Sequence, residues 1–185
     1  MAYFYFDFKD IGKQDPRALL TSLLIQLCDQ SGSFCDVLLR LYSAHRDGSQ
    51  QPSDAALVQS LKKMITTAGT VPIYLIVDAL DECPDTCGLQ SSREKVLELM
   101  EDLLELHNPN LRLCVTSRPE VDIRTSFEQW TSESSSISLH DQSGQKEDII
   151  NYIRSVVYSD RKMKRWRTED KELVIETLSD RAEGM

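Results

Sequence analysis

Apolar residues recur along the chain at two spacings, and the alternation between them lays out a fold. The opening "YFYFDF", residues 3–8, is an aromatic-rich run that reads as a buried strand. In "DPRALLTSLLIQLCDQSG" the residues Leu19, Leu20, Leu23, Leu24 and Leu27 share one helical face, with Asp15 at the N-cap and Pro16 at the first helical position. A second helix is predicted in "SFCDVLLRLYSAHR", with Phe34, Leu38, Leu41 and Tyr42 as its apolar stripe. A third, "DAALVQSLKKMITTAG", is capped by Ser53, turns Leu57, Leu61, Met64 and Ile65 inward, and stops at Gly69.

The unbroken apolar run "IYLIV" follows, then a loop, then the strongly patterned helix "REKVLELMEDLLELHNPN" closed by Asn108-Pro109-Asn110. "LRLCV" is again a short apolar strand. Beyond it the pattern predicts a short helix in "PEVDIRTSF", a Ser-rich loop, a strand at residues 136–139, and two helices, "SGQKEDIINYIRSVVYSD" and "TEDKELVIETLSDRAEGM". Strands that alternate with helices, the central two apolar throughout, indicate an α/β protein whose parallel sheet carries helices on both faces.

Composition narrows this little. Of the 185 residues, 41% are hydrophobic and 28% charged, ordinary for a globular chain long enough to bury one core. The formal charge of −9 argues against a nucleic-acid surface, which needs net Lys and Arg to neutralise phosphates. No stretch approaches the ~18 apolar residues of a membrane helix and the N-terminus has no signal-peptide pattern, so a cytoplasmic location without membrane contact is expected. Five cysteines, odd in number and without a C-x-x-C pair, fit reduced thiols rather than disulfides or a zinc site. "RKMKRWR", five cations in seven residues, reads as a solvated linker.

The candidate chemistry lies where apolar strands end in polar residues. "IYLIV" ends in Asp78, followed by Asp81 and Glu82; "LRLCV" ends in Thr116, Ser117 and Arg118. In an open parallel sheet ligands bind beyond the carboxyl ends of the strands. A carboxylate at one strand tip and a cation at the next suit a phosphate with its magnesium, and Asp81 and Glu82 would stand near enough to orient or deprotonate a water. Three carboxylates in five residues repel one another unless a cation is present. The competing reading is that Asp81 and Glu82 merely cap the following turn.

"IYLIVDALDEC" resembles the extended Walker B segment of the NACHT-type STAND P-loop NTPases, and "LRLCVTSRPE" resembles their sensor 1 strand. "AYFYFDFKD" with "DPRALLTSLLIQL" is similar to the strand and helix between the phosphate loop and Walker B, closest to the nephrocystin-like N-terminal group common in fungi. The resemblance implies a three-layer P-loop NTPase fold, with residues 1–140 as an incomplete NTPase core and 141–185 as the start of a helical lid. It assigns Asp78 to Mg²⁺, Glu82 and Asp81 to the attacking water, Arg118 to the γ-phosphate, and Ser117 and Thr116 to supporting roles. It also implies ATP as ligand, other NACHT/STAND protomers or signalling domains as partners, and a nucleotide-driven signalling switch with slow hydrolysis.

One departure from that pattern is large. The family's phosphate loop, G-x-x-x-x-G-K-[ST], is absent: the only Gly-Lys is Gly12-Lys13, followed by Gln14. The expectation is a core lacking its first, central strand and the Walker A loop, bound tightly to no cofactor and inactive alone as an ATPase. The alternative is a non-enzymatic interaction module derived from such a domain. A metal-dependent nuclease is the remaining possibility, disfavoured by the lack of further clustered acids.

Overall fold

Three strands pair in parallel in the order β1 (Ala2–Tyr5), β2 (Ile73–Asp78), β3 (Leu111–Val115). They belong to a computed structural model that describes residues 1–85, 91–130, 135, 137 and 143–181. The chain divides into two compact units, residues 1–130 and 131–185. The first holds the sheet and the helices α1 (Pro16–Cys28), α2 (Gly32–Ala44), α3 (Asp54–Thr67), α4 (Ser92–Leu104) and α5 (Val121–Trp130).

Local chemistry sets the helix ends. Asp15 accepts the Arg17 N–H ahead of Pro16, Ser53 accepts the Ala56 N–H, and Ser91 with Glu94 forms a reciprocal capping box on α4. Gly69, just past α3, adopts φ +59°, a backbone conformation that a side chain would strain. The predicted inward leucines of α1 are all buried, as are Leu57, Leu61, Met64 and Ile65 of α3. They pack with Ala2, Phe4, Phe6, Ile73, Leu75 and Val77 in one core cluster.

The structure departs from the sequence reading in three places. The first strand ends at Tyr5 rather than residue 8: Phe6 still donates its N–H to the Asp78 carbonyl, but the Asp7 carboxylate then takes the Lys9 N–H and turns the chain. On α2 the buried pair is Phe34 and Val37, while Tyr42 is 52% exposed. And α5 continues to Trp130, whose ring meets Phe127 edge-on. The fourth strand expected at residues 136–139 lies outside the described residues, Ile137 excepted.

The sheet buries one face. Ala2, Phe4, Ile73, Leu75 and Val77 point into the core, whereas Tyr3, Tyr5 and Tyr74, one position along, are each close to half exposed and Cys114 is exposed. Among the described residues of the first unit, the expected helical cover on this second face is not found. "IYLIV" looked apolar on both sides because tyrosine combines a large apolar ring with a hydroxyl that stays in water.

The two sheet edges differ. Along β1, two glutamines four residues apart, Gln26 on α1 and Gln30 in the turn just past it, face the edge: the Gln26 carboxamide accepts the Tyr3 N–H at 3.1 Å and donates to the Tyr3 carbonyl at 2.7 Å. Gln30 repeats this on the N-terminal amine and carbonyl of Met1. Two side chains thus stand in for a neighbouring strand, and the β1 edge is closed to pairing. On β3, among the described residues, no strand or side-chain ladder does the same; at its start the Leu111 N–H donates to the Asn108 carbonyl and the Leu111 carbonyl accepts from Arg112.

In the second unit α6 (Ser143–Ser159) and α7 (Thr168–Arg181) form a helical pair around Val157 and Ile175, with the Tyr158 hydroxyl donating to Glu172 at 2.8 Å. Val156, beside the buried Val157, is 40% exposed. "RKMKRWR" joins the helices and, Met163 aside, is exposed, as a solvated linker should be.

Candidate functional site

Asp78 ends β2 on the outward face, and the parallel register that sets Val77 beside Val115 brings Thr116 next to it. The Thr116 hydroxyl donates to Asp78 Oδ1 and accepts the Ala79 N–H at 3.0 Å. The backbone closes the same joint, Thr116 N–H to the Val77 carbonyl and Leu80 N–H to the Thr116 carbonyl, each at 3.0 Å. The two strand tips are therefore locked together.

Ala79 then takes φ 54°, ψ 48°. A left-handed conformation in a residue with a Cβ costs roughly 1 kcal/mol, and here it folds the chain straight back into the short 3-10 turn Leu80–Glu82. Leu80 is fully buried beneath that turn, which projects Asp81 and Glu82 upward. Both are committed to protein partners. Asp81 accepts the Arg118 N–H at 3.0 Å and pairs with Arg118 Nε at 3.4 Å, while Glu82 Oε2 accepts the Phe8 N–H at 3.1 Å. Each carboxylate thus ties the turn to another strand's exit loop. Gln14 secures the first of these loops by donating to the Phe8 carbonyl at 2.6 Å.

Arg93, at the start of α4, completes the scaffold from below. Its guanidinium donates to the carbonyls of Asp81 at 2.7 Å and Cys83 at 3.1 Å and pairs with Asp122 at 3.3 Å, with only 10% of its side chain exposed. The sequence reading passed over this residue. The signal was present: a cation in a helix's first turn opposes the macrodipole and asks for a compensating partner.

A cleft of about 410 Å³ opens beside the turn, lined among others by Phe8, Gln14, Asp81, Glu82, Arg93 and Arg118. Asp78, Thr116 and Ser117 do not line it. Five of the six residues named from sequence thus fall into two neighbouring groups: the linked tips Asp78 and Thr116, and the cleft-facing Asp81, Glu82 and Arg118. Ser117 turns its hydroxyl onto the Arg118 carbonyl at 2.7 Å.

The donors can be tested against a magnesium ion. One oxygen of Asp78 is taken by Thr116, the other is not, and Mg²⁺ commonly binds through one or two carboxylates with waters filling the remaining positions. Asp78 fits that use. No group of three or more His, Cys, Asp or Glu among the described residues could enclose a metal by itself. On the phosphate side, Arg118 is paired with Asp81 yet leaves 80% of its side chain exposed, so it can reach an anion without crossing the core.

Burial pushes the Cys83 thiol from its ordinary 9.0 up to about 12, with Asp15 and Asp85 adding to the rise and Arg93 opposing it. A thiol raised in the folded state contributes stability that is whole below its unfolded value and lost as pH climbs through the folded one. Unfolding titrations should therefore show a decline between about pH 9 and 12 that is shallower in Cys83→Ala. If wild type and Cys83→Ala lose stability in parallel over that window, this origin of the decline is wrong.

Among protein families, Nephrocystin 3, N-terminal, matches residues 1–118. Comparison with curated proteins finds no match, and comparison with solved structures finds none. The family match runs from β1 to Arg118 and so takes in all three strands, both locked tips and the acidic turn: the chain belongs to the nephrocystin 3 N-terminal family.

Proposed function

We propose that these 185 residues supply the metal-holding and water-orienting half of a nucleotide site in a NACHT-type STAND switch, whose phosphate loop comes from outside them. The observation that carries this reading is the lock between Asp78 and Thr116 at adjacent strand tips, beside a turn that aims Glu82 and Arg118 into one cleft. When bound, magnesium would neutralise phosphoryl charge and fix the phosphate's position, with Asp78 as its protein ligand. Thr116 orients that carboxylate. Glu82, with one oxygen held by the Phe8 N–H, keeps the other for a water. Asp81 aims Arg118 rather than acting on water itself, since Arg118 engages both its oxygens.

Positioning supplies most of phosphoryl-transfer catalysis, and a chain without G-x-x-x-x-G-K-[ST] lacks most of it. Titration of the 185-residue chain with MgATP should give binding no tighter than about 1 mM and no turnover. The reading frame upstream of Met1 should encode the missing loop within about 40 residues. Micromolar binding or steady turnover by the 185 residues would sink the half-site reading, as would an upstream frame without the loop.

A second reading, a non-enzymatic interaction module, is favoured by the contrast between the edges. The glutamine pair closes β1, while among the described residues the β3 edge remains available to an added strand. Sedimentation distinguishes the two: a nucleotide-blind complex with an intact relative supports the module.

A further inference from the structure

Two cysteines sit together at the corner between the first two helices, a place the nucleotide site does not use. Cys28 is the last residue of α1 and Cys35 lies in the first turn of α2. The Cys35 thiol donates to the Cys28 carbonyl at 3.3 Å, which brings the two cysteines together across the corner. Both are partly exposed, within reach of a small tripeptide. Cys83 is buried, and Cys114 stands exposed on the tyrosine face.

We propose that Cys28 and Cys35 are a dithiol that closes reversibly to a disulfide by exchange with glutathione disulfide, stapling the end of α1 to the first turn of α2. Its interaction with Cys35, followed by burial, pushes Cys28 from 9.0 up to about 11, and the first attack is assigned to Cys35. The Cys35 thiolate attacks one sulfur of glutathione disulfide. That S–S bond breaks, one glutathione leaves as thiolate, and a mixed disulfide remains on Cys35. The departing thiolate takes the Cys28 proton; Cys28 then attacks Cys35 Sγ and displaces the second glutathione as thiolate, which takes up from water the proton that Cys35 had given to it. Net, the protein dithiol loses two electrons and two protons, and one glutathione disulfide becomes two glutathiones.

The ring so formed encloses Gln30, the residue that holds the backbone of Met1. Oxidation therefore fixes the corner that closes the β1 edge, which makes the staple a redox-sensitive guard on that edge.

The test equilibrates the 185-residue chain in glutathione buffers of defined ratio, quenches with an alkylating agent, and maps the tryptic peptide 18–40, which carries both cysteines. The expected product is that peptide two hydrogens lighter, resistant to alkylation and restored by dithiothreitol, while Cys114 takes glutathione singly. Its formation constant against glutathione should be at least about tenfold larger in native buffer than in concentrated urea, because only the fold holds Cys35 against the end of α1. Peptide 18–40 carrying two alkyl or glutathione groups with no internal link overturns the proposal. So does a formation constant that urea leaves unchanged.

Discussion

Phe6→Ala is expected to destabilise the first unit by about 3–5 kcal/mol, a large part of the roughly 5–15 kcal/mol that holds a domain folded. Phe6 is 2% exposed, lies just past β1, and meets Phe4 edge-on with ring centroids 5.0 Å apart. Truncation removes its transfer energy and leaves a void beneath the cleft, where the surrounding leucines are held by other contacts and cannot collapse fully. Phe8, two residues on, is 62% exposed, and Phe8→Ala should change stability by no more than about 0.5 kcal/mol. Urea unfolding of both variants checks the contrast. Similar midpoints for the two would show that the inward and outward positions after β1 have been misassigned.

The second large effect falls on Arg93. Arg93→Ala leaves the carbonyls of Asp81 and Cys83 and the carboxylate of Asp122 without their donor. Breaking a fully buried pair costs about 3–5 kcal/mol; Asp122 is 40% exposed and regains water, so about 2–4 kcal/mol is expected here. Arg93→Lys should recover less than half, because one ammonium cannot serve three acceptors from a planar fork. A further readout separates this role from general stability. The Phe8 and Arg118 N–H groups are held by Glu82 and Asp81, so their hydrogen exchange should quicken in Arg93→Ala under conditions where the core of α1 remains protected. Uniform acceleration across the unit would mean that Arg93 supports the fold without specifically positioning the acidic turn.

Much of the candidate site was legible because strand tips are local features. An apolar run that ends in Asp78, and another that ends in Thr116, mark the carboxyl edge of a parallel sheet before any packing is known. The register then set the two side by side, as that reading required. Asp81 and Glu82 were harder. Three acids in five residues suggested a shared cation, whereas the fold gives Asp81 to Arg118, 37 residues away, and Glu82 to Phe8, 74 residues away. Tyr42 and Tyr74 misled for one reason: amphipathic rings score as apolar in a pattern yet tolerate water.

By itself the sequence determined the elements, their caps and most of their inward faces, because those depend on neighbours within about four positions along the chain. Asp15 before Pro16, the leucine face of α1 and the Ser53 cap of α3 belong to that class. Only the tertiary structure decided that the sheet buries one face in the first unit, that Gln26 and Gln30 close the β1 edge, and that Arg93 anchors the acidic turn. Each of these is a choice of partner by a long polar side chain, or of cover for a surface. Such choices depend on distances between residues remote in sequence, which periodicity does not encode.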